Sequence, residues 1–193
     1  MSEQNTPARL VDRDWAAGVL RFWFEELGAS GWFKKSEAPD AEITAKFKEL
    51  HRDISGAPIE ALLADRDAAL AAVLVLDQFA RNMFRGKPES FATDAKALDL
   101  ARRAIELGYD DRDLPVDWRV FFYLPFEHSE ELADQHRAVE LISALGHAEY
   151  TRYAIAHLDV IERFGRFPHR NAILGRKSTA DEEAYLAEPG SGF

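Results

Sequence analysis

Cysteine is absent from the 193 residues. Without thiols there is no disulfide, no thiolate metal site and no cysteine nucleophile, and the composition suits a reducing compartment. Positive charge is also scarce: 24 Lys and Arg stand against 34 Asp and Glu, a formal net charge of -10. Broad binding to nucleic acid or to an anionic membrane needs a positive surface, so neither partner is expected. Long hydrophobic runs are missing. The most apolar stretch, Ala68 to Leu76 (AALAAVLVL), falls far short of the roughly 20 residues that span a bilayer. The opening MSEQNTPARL lacks the apolar centre of a signal peptide. The expectation is a cytoplasmic protein. The phosphate-binding Gly-x-x-x-x-Gly-Lys, the dinucleotide fingerprint and the serine elbow are missing too, so no cofactor is expected.

What is present is a good core. Hydrophobic residues make up 47% of the chain and aromatics 11%, with 13 Phe among them, enough for one globular domain and too much for disorder. Residues 1–11 read as a flexible start and 12–193 as a single domain. From Asp12, a helix carries Trp15, Val19, Leu20, Trp23 and Leu27 and stops at Gly28. Asp40 is a candidate cap for a second, with Ile43, Phe47 and Leu50 on one face. A short helix over Ile59–Ala64 precedes a longer one that ends near Phe79 and is apolar nearly all round, which predicts the central buried helix. Arg81 to Ser90 reads as a loop, and Thr93 opens a helix closed by Gly108. Pro125 is expected to start a helix running to about Leu145. Another over about Ala148–Phe164 buries Tyr150, Ala154, Leu158 and Ile161 and stops at Gly165. Thr179 with Glu182 forms a capping-box pattern for the last helix. No stretch alternates long enough to make a strand. The expected fold is all-α, about eight to nine helices in antiparallel pairs, with no repeat of fixed period.

Three segments crowd polar residues where packing does not ask for them. In Asp77-Gln78-Phe79-Ala80-Arg81-Asn82, Asp77 and Arg81 are four apart and share a face if the helix continues. An internal ion pair explains them as well as a ligand does. In Pro125-Phe126-Glu127-His128-Ser129-Glu130-Glu131, acidic residues suit a first helical turn. The sharper reading makes Glu127 or His128 a general acid or base. His128 and Glu131 are three apart, but two ligands make no site, and the paired Glu-x-x-His of di-iron bundles is missing. No metal is expected.

The third segment, Arg163-Phe164-Gly165-Arg166-Phe167-Pro168-His169-Arg170-Asn171, forms with Arg176 and Lys177 a basic island in an acidic chain. Arginine forks hold planar carboxylates and phosphates. Arg163 and Arg166 read as helix-end partners of acidic residues; His169, Arg170 and Asn171, bracketed by Gly and Pro, lean towards function. The first and third segments both follow a long apolar helix and end in Arg-Asn, as two loops closing on one cleft would. His157 reads as a hydrogen-bonded core histidine, and His51, His136 and His147 as surface residues. Trp15, Trp23 and Trp32 form an N-terminal aromatic cluster assigned to the core.

The stretches DQFARNMFRG, FATDAKAL, FFYLPFEHSE and RFGRFPHRNAILGR closely resemble a bacterial family known as domain of unknown function 924. The opening LRFWFEE, the Trp32-Phe33 pair and the final Gly-Ser-Gly-Phe are similar to it as well, so the resemblance runs from about residue 15 to 193. It implies an all-α fold similar to the tetratricopeptide-like α-α superhelices, and it carries no established activity or catalytic residue. The family's Trp-rich segment after the second helix is shortened and Trp-free here, around Ser55 to Asp65.

Two functions follow from the residues. One is a pocket for a small anionic molecule, held by Arg81, His169 and Arg170, oriented by Asn82 and Asn171, with Glu127 or His128 moving a proton. The other is a non-catalytic scaffold for a peptide or protein partner, which rests on fold analogy. A buried polar network that fixes helix register is a component of either.

Overall fold

The computed structural model describes residues 7–11, 14–33 and 36–192. The described residues are helical with no strand, as the patterning predicts. They fall into two compact units: the first reaches to Arg85 and resumes over Glu89–Pro125, and the second takes Gly86–Pro88 and Phe126 onward.

In the first unit, α1 (Ala8–Val11) packs on α4 (Glu37–Gly56). The rest of the expected flexible start, residues 1–6, lies outside the described residues, as do Asp12 and the final Phe193. Next comes α2 (Asp14–Arg21), whose helix continues through a π-bonded stretch, Phe22–Leu27, to Gly28 at φ +65°. The short α3 (Ala29–Trp32) follows. Asp40 does not cap α4; the helix begins three residues earlier, after Ser36, which frees the Asp40 carboxylate for long-range partners. His51 is buried rather than exposed, because it shares the Phe47, Leu50 and Ile54 stripe, and its ring lies 5.4 Å from Phe84. Burial accordingly lowers its pKa.

After α5 (Ile59–Leu62), α6 (Arg66–Val73) runs without a break through π-bonded Leu74–Phe79 into α7 (Ala80–Met83). The helix thus ends later than expected. Every residue from Ala68 to Ala80 is buried, and this rod packs against α2, α4 and α8 (Asp94–Glu106). Around Trp23 and Phe79 gathers the aromatic core, with rings of Phe22, Phe47 and Phe121 between 4.8 and 6.1 Å from one or both. Trp118 stacks on Phe24 at 4.1 Å. The Lys96 ammonium donates to the carbonyls of Ile54 and Ser55 at 2.9 and 2.8 Å and to that of Ala57, answering the orphan C-terminal acceptors of α4.

The helix expected to start at Pro125 begins earlier and ends there. Pro115 sits at the start of α9 (Val116–Glu127), accepting from the amides of Trp118 and Arg119, and Pro125 lies in the last turn. A proline there removes an i to i−4 bond and crowds the carbonyl four residues back, so the helix stops two residues later. A separate α10 (Leu132–Ser143) follows in the second unit and packs along α11 (Ala148–Phe164). The buried stripe of α11 is Ala154, His157, Val160 and Ile161, while Tyr150 and Leu158 are half-buried. Gly165, at φ +68°, ends α11 in the left-handed conformation. The capping box of Thr179 and Glu182 opens α12 (Ala180–Leu186) as read from the sequence. No helix of the described residues is long and apolar enough to cross a membrane.

Candidate functional site

The polar residues of α6–α7 sit in a network of the first unit. Asp77, 1% exposed, faces Arg81 across 3.0 Å and accepts from Gln78 Nε2 at 2.6 Å. The Arg81 fork also donates to both oxygens of Asp94, at 2.9 and 3.1 Å. Asn82 Nδ2 donates to Asp40 Oδ1 at 2.7 Å, and Arg85 donates to both Asp40 oxygens at 2.6 and 2.8 Å. Burial works against the Asp40 charge, but Arg85 and Asn82 outweigh it and lower its pKa. The sequence marks Asp40 only as a candidate helix cap and gives no sign that Asp40 or Asp94 is an acceptor in this network. Asp40 lies 42 residues from Asn82 and Asp94 lies 13 from Arg81, separations that no helical periodicity encodes.

The second unit brings together Glu127, His128, His169 and Arg170. Because Pro125 ends α9 early, the carbonyls of its last turn need donors. Gln135 of α10 supplies them, its Nε2 lying 2.7 Å from the Glu127 carbonyl and 2.6 Å from that of Ser129. From the other side, Arg170 Nη2 donates to the His128 carbonyl at 3.0 Å. The Glu127–Ser129 turn is thereby held on two sides.

Past Gly165 the chain turns in, and Phe167 is fully buried. Its amide donates to Glu130 Oε1 at 2.8 Å and its carbonyl accepts from Arg176 at 3.0 Å. Arg176 clasps Glu130 with both arms, at 2.7 and 2.9 Å. Arg166 does the same to Glu182, at 2.6 and 2.8 Å, a partnership of the kind expected for that residue. Asn171 lies beside Arg170 but turns to Ser178, donating at 3.1 Å.

Around the Phe167 ring stand His157 at 5.6 Å, His169 at 5.5 Å and the Arg170 guanidinium at 4.5 Å. His128 completes the group, its ring 6.2 Å from that of His157. Glu127 and His157 are buried, and Oε1 of the first lies 3.2 Å from Nδ1 of the second. That nitrogen also meets the Tyr153 carbonyl at 2.9 Å. Burial first, then the positive fields of His128, His169 and Arg170, push the His157 pKa down to about 3 against the pull of the Tyr153 carbonyl. Near neutral pH the ring is uncharged, so its contact with Glu127 is not an ion pair. His128 and His169 are half-buried and give the group its solvent side.

His157 was placed in the core by its spacing; what the spacing does not carry is its neighbour, 30 positions back in the chain. A surface depression of about 420 Å³ lies elsewhere in this unit, lined by Gly146, Ala148, Thr151, Arg152 and Ile155. None of the candidate residues lines it.

These features define an all-helical protein with a histidine–glutamate cluster under basic side chains in its second unit. The chain belongs to the family described as bacterial protein of unknown function (DUF924), whose model matches residues 19–190. A solved structure of a protein of unknown function from Agrobacterium tumefaciens is similar to it, with 41% identity, over 91% of this chain and 99% of that one, at a TM-score of 0.86. No curated protein matches the chain. The likenesses carry the fold and name no activity.

Proposed function

We propose that the Phe167-centred cluster binds a small anionic molecule of the bacterial cytoplasm. The observation that carries the reading is the company of one phenyl ring: two imidazoles and a guanidinium surround it, and a third imidazole adjoins. In a chain of net charge -10 the charge that attracts an anion here is the Arg170 guanidinium, and a guanidinium held on an aromatic face is pre-ordered for a planar anion. Arg170 and His169 are the anion's ligands in this reading, while Asn171, turned to Ser178, fixes the loop that carries them. Glu127 and His128 form the pair able to move a proton, a buried carboxylate beside a half-exposed imidazole. Asp77, Arg81 and Asn82 belong to the framework in this reading, since Arg81 bridges Asp77 and Asp94 and Asn82 donates to Asp40 within the same unit.

The test is a thermal-shift series with phosphorylated metabolites, di- and tricarboxylates and nucleotides. A ligand at 100 times its dissociation constant adds about 2.7 kcal/mol, or roughly 5–10 °C for a chain of this size. The shift should vanish in Arg170→Lys, which keeps the charge and loses the fork. A panel that moves nothing, or a shift that survives in Arg170→Lys, overturns the reading.

The scaffold reading has one observation of its own. Tyr153 and Ile155 of α11 are 44% and 43% exposed, and Ile155 borders the 420 Å³ depression, as a partner-facing surface would. A Tyr153→Ser, Ile155→Ser variant that keeps every anion shift would separate that face from the cluster.

A further inference from the structure

We infer that Glu127, His128 and His157 bind one divalent transition-metal ion of the zinc class. Each offers one ligand atom, and these atoms all lie within 4.8 Å of one another. Bonds of about 2.0–2.1 Å at tetrahedral angles set neighbouring ligands roughly 3.3 Å apart. Closing the group on an ion therefore takes a contraction of at most about 1.5 Å between ligand atoms. Two imidazoles with one carboxylate are the donor set of Zn²⁺, Co²⁺ or Ni²⁺ chemistry; Mg²⁺ and Ca²⁺ call for oxygen ligands throughout.

Sequence spacing argues against a metal, because it offers only His128 and Glu131 on one turn. The fold supplies a different third ligand, from the middle of α11. Its surroundings resemble the outer shell that such ligands need. The Tyr153 carbonyl, 2.9 Å from His157 Nδ1, is the kind of acceptor that orients a ligand imidazole. The edge of the fully buried Phe167 fixes the plane of the same ring, at 78°. Glu127 and His128 ride on the turn that Gln135 and Arg170 hold from both sides. Glu127 and His157 have side chains only 5% and 7% exposed, so the ion would sit out of bulk water, while half-buried His128 leaves a way in.

Three protein ligands leave a coordination position for water or for an oxygen of an anion. With Arg170 adjacent, an ion here carries net positive charge and draws a negative ligand to that position. The inference shares side chains with the anion reading but rests on their geometry, so the two can fail separately.

The experiment uses the full chain, stripped with a chelator and kept in a buffer free of phosphate and carboxylates. Co²⁺ is titrated by visible absorption and Zn²⁺ by calorimetry. One equivalent per chain is expected, with the intense d–d bands of a four- or five-coordinate site. His128→Asn and Glu127→Gln should each weaken binding tenfold or more, with circular dichroism unchanged. His136→Asn, on an exposed histidine, should bind as the native chain does. His157 is buried and its variants risk misfolding, which is why the test rests on the other two ligands. Absence of saturation at one equivalent in the native chain overturns the inference. So does unchanged affinity in both folded variants. An anion shift in the metal-free chain beside a failed Co²⁺ titration would reject the metal and leave the anion reading standing.

Discussion

Replacing Arg81 by Met tests whether its charge belongs to the fold. The guanidinium bridges Asp77, whose side chain is 1% exposed, and Asp94, whose side chain is 18% exposed, and is itself 20% exposed. Methionine fills most of the same space and keeps the helix, so packing is nearly conserved and the loss is electrostatic. Removing one partner of a buried ion pair costs about 3–5 kcal/mol, because the remaining carboxylates keep their charge without compensation. The partial exposure of Arg81 and Asp94 puts the expected loss at the lower end, about 3 kcal/mol, or a fall in melting temperature of roughly 6–12 °C. Urea unfolding followed by far-ultraviolet circular dichroism reads it directly. Adding Asp77→Asn and Asp94→Asn to Arg81→Met removes the stranded charges and should restore at least half of the stability. A loss below about 1 kcal/mol in the single variant, or a triple variant no better than the single, would refute the account. Arg81 would then be available for the ligand role its sequence position suggests.

Three further outcomes follow from single residues. Glu182 has its pKa pulled down to about 2 from an ordinary 4.5, chiefly by Arg166 and next by the Thr179 amide. A depressed carboxylate stabilises the fold above its unfolded value and loses that contribution as pH falls towards its folded one. Glu182→Gln should therefore melt below the native chain near neutral pH and converge with it by about pH 2; a gap independent of pH across the series would rule this out. Gly165→Ala meets no atom within 4 Å, so its cost is the left-handed backbone alone, about 1–2 kcal/mol in denaturant unfolding; unchanged stability would contradict the assigned cap. Lys96→Met loses a charged donor to three carbonyls and should cost about 2 kcal/mol, with faster amide exchange at the end of α4 as the local sign and undisturbed exchange as the contrary result.

What the sequence reveals of this molecule divides by range. The helical class, the stop at Gly165 and the Thr179–Glu182 box are local: a few adjacent residues decide each, and the structure has all three. The burial of Ala68–Leu76 is equally legible, since that run is wholly apolar, whereas Asp77 and Gln78 are buried beyond it with a hydrogen bond between them. His51 was misplaced although its spacing from Phe47 and Ile54 puts it on the buried stripe; a polar residue type outweighed a periodicity that was there to be read. The start of α9 went to the wrong proline because Pro115 and Pro125 are both acceptable beginnings, and only the fold decides between them. The candidate site is less legible still. Glu127 and His128 are marked by composition, but their neighbour His157 comes from a helix whose face reads as ordinary core. Asp40 reads as a helix cap and Asp94 merely follows the Thr93 cap, with nothing to link them to Asn82, Arg85 or Arg81.

The π-bonded stretch gives the long central helix one place where its length is forgiving. Such a stretch holds, in effect, one residue more than an α-helix needs for the same rise. Deleting one apolar residue between Leu74 and Phe79 would let the rod relax to regular winding with the residues beyond it close to their old phase. Arg81 would stay on Asp94, and Asn82 and Arg85 on Asp40. The same deletion in the α-wound half, Arg66–Val73, has no surplus to absorb it. Everything beyond would then turn by about 100° and carry those three side chains off their carboxylates. The surplus residue works as slack in the rod, so gaps should be tolerated there and not one turn earlier.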